Sequence, residues 1–180
     1  MTNNSVSRND FLYNENGLFI KPGHIIWTGD KNCFTAIVGF GMVVTVFDET
    51  QGLAGICHYL FPNQNSRASS VSALSPLAIE SLFSRFFDRG STPNSLQVQM
   101  IGGACMPGNL ALIELSDKNI RKGYEILEKY NIQPTGFHVG GYYGRGVLMN
   151  TQSGKVRISK LEKLRSNDWV IMNAPVDKAA

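Results

Sequence analysis

His58 and three cysteines are the residues of this chain suited to covalent chemistry. His58 sits in Leu53-Ala-Gly-Ile-Cys-His58-Tyr-Leu-Phe-Pro62, and the thiols are Cys33, Cys57 and Cys105. An imidazole can take the proton of a thiol, and the thiolate can then attack an unactivated amide carbon. Cys57 adjoins His58, but adjacent strand residues point to opposite faces. It therefore reads as a small buried hydrophobe. Cys33 shares strand parity with Thr35, and Cys105 lies in the loop Gly102-Gly103-Ala104-Cys105-Met106. Both stay open as substitute thiols. His24 and His138 carry no motif and read as structural.

The bulk composition narrows the classes. A chain of 180 residues suits one domain with a sizeable core. A net charge of +3, with no basic cluster interleaved with aromatics, argues against nucleic acid. Lys155, Arg157, Lys160, Lys163 and Arg165 form a basic C-terminal stretch. It reads as a solvated strand and helix face, or as a docking surface for an acidic partner. No apolar run approaches the roughly 20 residues needed to insert in a membrane. The polar start lacks a signal core, so a cytoplasmic location is expected. An odd cysteine count without repeated spacing argues against a disulfide framework. With no CxxC pair or His-rich cluster, no metal and no cofactor is expected.

These residues need elements to hold them. Residues 1–17 are Asn- and Ser-rich and read as a flexible leader. Leu18 to Trp27 suits a first strand that Pro22-Gly23 breaks early. Phe34 to Phe47 is a β-branched run, typical of a strand buried on both faces. Asp48 starts a turn, and Leu53 to Phe61 returns. Ser75-Pro76 predicts a helix start, with Leu82, Phe83, Phe86 and Phe87 as its core stripe and Gly90 past its end. Leu96 to Ile101 and Leu110 to Leu115 read as strands. Ser116 reads as the cap of a second helix, with Ile120, Tyr124 and Leu127 on one face. Ile132 to Val139 is a further strand. The turn Gly140-Gly141-Tyr142-Tyr143-Gly144-Arg145-Gly146 precedes a hairpin of Val147 to Asn150 and Lys155 to Ser159. Two helices between strand groups indicate an α+β domain.

The order of motifs resembles the CheD family, the chemoreceptor glutamine deamidases of bacterial and archaeal chemotaxis. The family pattern T-x-x-L-G-S-C-V-A-V-x-L-Y-D stands here as Thr35-Ala-Ile-Val-Gly-Phe-Gly41-Met-Val-Val-Thr-Val-Phe-Asp48. G-G-M-x-H-F-x-L-P stands as Ala54-Gly-Ile-Cys-His58-Tyr-Leu-Phe-Pro62. Gly102 to Met106, Leu115 to Ile120 and Gly140 to Arg145 match three later motifs in order.

The resemblance implies an α/β/β/α sandwich of two mixed sheets with helices outside, one helix covering each sheet. The domain would span 18–165, followed by a C-terminal tail at 166–180. The resemblance also implies deamidation of receptor glutamine to glutamate by a Cys/His/Thr site. By position the Thr is Thr35, the His is His58, and the Cys falls on Gly41. Activity is therefore expected to be impaired. The implied partners are chemoreceptor cytoplasmic helices. The alternative is a non-catalytic module that binds those receptors or a CheC-type phosphatase.

Overall fold

The computed structural model describes residues 17–60, 76–105, 108 and 110–161. The leader up to residue 16, the tail, Ser75 and Met106 lie outside these. Pro22-Gly23 divides the first apolar segment into β1 (Gly17–Ile20) and β2 (Ile25–Thr28). These two strands belong to different sheets.

The β-branched run is divided in the same way. Read as one strand in the sequence, it is two: β3 (Cys33–Val38) and β4 (Met42–Asp48). Gly39-Phe40-Gly41 carries the chain from one sheet to the other. β5 (Leu53–Tyr59) pairs antiparallel with β4. Asp48 closes the turn between them, accepting from the backbone N–H of Thr50 at 2.9 Å and of Gln51 at 3.1 Å. Its other oxygen accepts from the Ser95 hydroxyl at 2.6 Å.

Then follow α1 (Leu77–Phe87), β6 (Gln97–Gly102), α2 (Leu110–Lys129), β7 (Gly136–Val139), β8 (Gly144–Asn150) and β9 (Val156–Leu161). One sheet has the order β1-β3-β8-β9 and the other β2-β5-β4-β6-β7. Each contains one parallel pair, β1 with β3 and β6 with β7, so both sheets are mixed. The expected α+β sandwich of two mixed sheets is thus present.

Three details differ from expectation. Leu110 to Leu115 is helical: it forms the first turns of α2, and a short apolar run carries too little periodicity to separate strand from buried helix. Ser116 is consequently a buried mid-helix residue rather than a cap. The two helices do not cover one sheet each. Leu82, Phe83 and Phe86 of α1 and Leu127 of α2 pack in one cluster with Met42, Val44, Cys57, Tyr59 and Met100. Both therefore lie on the outer face of the five-stranded sheet. No described helix covers the other sheet, whose outer face carries a small cluster of Ile37, Leu161, Phe19 and Leu148.

A second core fills the space between the sheets, built from Ile20, Phe34, Ala36, Val38, Val43, Ile56, Ile101 and Val147. Among the described residues no helix is long and apolar enough to cross a membrane.

Candidate functional site

Strand parity fixes where each chemical side chain points. On β5, Ala54 and Ile56 face the inter-sheet core, while Leu53, Cys57 and Tyr59 face the helices. His58 shares the parity of Ile56 and points between the sheets. It is 3% exposed. Cys57 is fully buried on the helix side, where burial pushes its thiol up to about 12. It stays protonated at neutral pH and cannot serve the imidazole.

The crossing turn brings residue 41 to the ring. A Cβ built on Gly41 would stand 3.5 Å from Nε2 of His58, 3.7 Å from Cβ of Leu60 and 3.0 Å from the Tyr59 carbonyl oxygen. Gly41 is not among the glycines with positive φ, so its backbone conformation does not call for glycine. A side chain there requires the backbone carbonyl of Tyr59 to give by a few tenths of an ångström. Position 41 thus has the conformation and direction of a residue that could address the imidazole, and it carries no side chain.

The imidazole has a defined orientation. Its Nδ1 lies 3.5 Å from the Ile20 carbonyl oxygen. A carbonyl can only accept, so this contact favours the tautomer with its proton on Nδ1, which leaves the Nε2 lone pair toward residue 41. Burial drives the imidazole down to about 4, against the opposing Ile20 contact and with a small further push from His24. At neutral pH the ring is an uncharged base. The backbone holds the ring's strand as well: His58 N–H donates to His24 O at 3.0 Å, and Gly23 N–H donates to His58 O at 2.7 Å.

Thr35 stands elsewhere. It has the parity of Ile37, on the outer face of the four-stranded sheet, opposite to Phe34, Ala36 and Val38. Its hydroxyl lies 3.5 Å from the Leu18 carbonyl and bridges β3 to β1. The atom facing Nδ1 is the Ile20 carbonyl, further along that same β1. Cys33 shares Thr35's parity, so its side chain also points away from the inter-sheet space. Cys105 is half-buried in the loop after β6, with Sγ 3.6 Å from Gly141 O.

Several residues that support the turn lie in recognised motifs, yet the sequence assigns them no role. Asn119 is fully buried and donates from Nδ2 to the Phe40 carbonyl at 3.3 Å. Its own carbonyl accepts from the Tyr59 hydroxyl at 2.9 Å. Ser116 donates to the Gly103 carbonyl. Gly103 N–H donates to Gly41 O at 2.8 Å, and Ala104 N–H donates to Gly39 O at 3.0 Å. A side chain at Gly102, whose φ is +127°, would collide with the Gly41 carbonyl. Arg145 donates to Gly140 O at 2.7 Å and to Gly102 O and Tyr143 O at 3.3 Å. A buried polar residue inside an amphipathic helix, as at Asn119, is the signal that marks this group in a sequence.

Comparison with known proteins places this geometry in context. The profile described as CheD chemotactic sensory transduction matches residues 61–160. The probable chemoreceptor glutamine deamidase CheD 2 of Geobacter sulfurreducens is 27% identical over 151 residues, covering 83% of this chain and 93% of that protein. The probable chemoreceptor glutamine deamidase CheD of Trichlorobacter lovleyi is 24% identical over 143 residues, covering 79% and 89%. The crystal structure of the hypothetical protein YfiH of Bacillus licheniformis overlaps at a TM-score of 0.42 with 14% identity, covering 65% of this chain and 49% of that one. That overlap is too loose to carry an argument.

Proposed function

The chain belongs to the CheD family, and from that premise we propose that it is a cytoplasmic chemotaxis protein that engages chemoreceptor helices at a deamidase-type site lacking its nucleophile. In the complete reaction a thiolate at position 41 would attack the glutamine carboxamide carbon. The imidazole would take the thiol proton and return it to the leaving ammonia. Water would then cleave the thioester to give glutamate and the free thiol. In this chain His58 supplies the base and the Ile20 carbonyl its orientation. Thr35 acts at one remove, tying β1 to β3 so that the Ile20 carbonyl stays in place.

The observation that carries this reading is the direction of residue 41: its Cβ vector ends 3.5 Å from Nε2 of His58. Without a side chain there, the protein binds the receptor and does not turn it over at a useful rate. Loss of a nucleophile typically removes several orders of magnitude, about 10⁴-fold or more.

Gly41→Cys tests this directly. A receptor cytoplasmic fragment is incubated with each protein and its glutamines are followed by mass spectrometry. The wild-type chain is expected to bind the fragment without mass change, and Gly41→Cys to convert glutamine to glutamate. Conversion by the wild-type chain that disappears in Cys105→Ser would assign the nucleophile elsewhere and overturn the proposal. A correctly folded Gly41→Cys protein that binds but stays inert would show that the site is no longer a deamidase frame.

A further inference from the structure

At the end of the sandwich where β3 passes to β4, two cationic residues stand opposite each other in the β8–β9 register, and neither has an ion-pair partner among the described residues. Arg145 on β8 is directly opposite Lys160 on β9. Like charges opposite one another on a ladder are destabilising. The described ion pairs, Lys122 with Glu125 and Lys129 with Glu80, involve neither residue. All described partners of the Arg145 guanidinium are neutral carbonyls. They occupy three of its five N–H donors. Burial lowers its pKa, as expected for a charge held in a partly dry place without a counter-ion.

The neighbourhood links this pair to residue 41. Arg145 is opposite Val38, the last residue of β3, and it holds the carbonyl of Gly102, which is opposite Met42. Lys160 is exposed, with Nζ 5.5 Å from the centre of the Tyr143 ring. Tyr142 and Tyr143 stand 60% and 51% exposed on the turn that Arg145 pins. Basic and aromatic groups therefore gather at the end of the sandwich where the chain crosses from β3 to β4, the turn that carries residue 41. Of these residues, Lys160 belongs to the basic C-terminal stretch.

We propose that Arg145 and Lys160, flanked by Tyr143, form a carboxylate subsite that seats an acidic side chain of the peptide segment bearing the target glutamine. The assignment rests on the receptor-binding reading above and adds its substrate class, a glutamine in an acidic context. The guanidinium offers its remaining donors to a carboxylate, and the ammonium closes on it from β9.

The test uses two fluorescent helical peptides, each with one central glutamine, flanked either by glutamates or by glutamines. Binding is measured by anisotropy. The wild-type chain is expected to prefer the glutamate peptide by about tenfold, and raised salt should erode the preference. Lys160→Glu should abolish or invert it. Arg145→Gln should reduce it, although that change also loosens the turn. Lys160 is exposed, so Lys160→Glu is the decisive variant, its fold checked by thermal melting. Equal binding of both peptides to the wild-type chain, or an unchanged preference in folded Lys160→Glu, overturns the subsite. A receptor fragment in the same assay separates the two readings. If it binds wild type and Lys160→Glu alike, the subsite fails and receptor binding stands. If the glutamate preference holds while the receptor fragment does not bind, the subsite stands and the receptor reading fails.

Discussion

At the scale of single residues, His58, the base in the proposed function, is also a cost to folding in acid. Its folded pKa of about 4 lies below the ordinary histidine value of 6.5. Above about pH 6.5 the imidazole is neutral in both folded and unfolded chains and has no effect on stability. As pH falls from there, the unfolded chain takes up the proton while the folded chain resists it, so stability drops until the folded ring also titrates near pH 4. The span corresponds to about 3 kcal/mol at most. Urea unfolding at about pH 7.5 and about pH 4.5 should therefore show a loss that His58→Gln largely removes. Equal losses in both proteins would mean that the ring is hydrated. The same neutral ring is what a thiol at position 41 would require, so the folding penalty and the chemistry share a cause, the dry inter-sheet space.

At the scale of elements, α2 holds the crossing turn against the five-stranded sheet, and Gly123 lets it come close enough. A Cβ at 123 would collide with the Tyr59 hydroxyl and stand 2.7 Å from Cε of Met100. Alanine in a helix interior ordinarily gains about 1 kcal/mol over glycine. Here the sign should reverse. Gly123→Ala is expected to destabilise by about 1–3 kcal/mol, because Tyr59 is held by its bond to the Asn119 carbonyl and cannot yield freely. Thermal melting decides it, and a raised midpoint would show that the helix can ride outward. This dependence also explains what was legible in the sequence. The hairpin of β8 and β9 and the stripe of Leu82, Phe83 and Phe86 along α1 follow from local pattern and turn chemistry. The division of the Phe34–Phe47 run between two sheets does not, since both strands are rich in apolar and β-branched residues and only Gly39 and Gly41 mark the crossing. The pairing of residue 41 with His58 was legible through the family frame. The Ile20 carbonyl was not, because a backbone acceptor leaves no trace in residue types.

At the scale of the whole molecule, two cores share one central strand. β4 is buried along its length, contributing Met42, Val44 and Val46 to the helix-side core and Val43 and Phe47 to the inter-sheet core. It is hydrogen-bonded on both sides, to β5 and β6. Local openings cannot expose its amides without breaking both cores. β7, by contrast, is an edge strand with Phe137 48% exposed and a ladder partner on one side only. β1 is also an edge, paired only with β3. Amide exchange in native conditions should therefore be slowest in β4, at the rate of global unfolding, and faster in β7 and β1 through local opening. Protection of β7 equal to that of β4 would show that the sheets open only as a unit. If β1 opens locally, the Ile20 carbonyl leaves the imidazole with it, and Nδ1 loses its acceptor. Thr35→Val, which removes the hydroxyl tie to Leu18, should then speed exchange in β1 while leaving β4 unchanged, so that the orientation of the His58 imidazole is set by the stability of an edge strand.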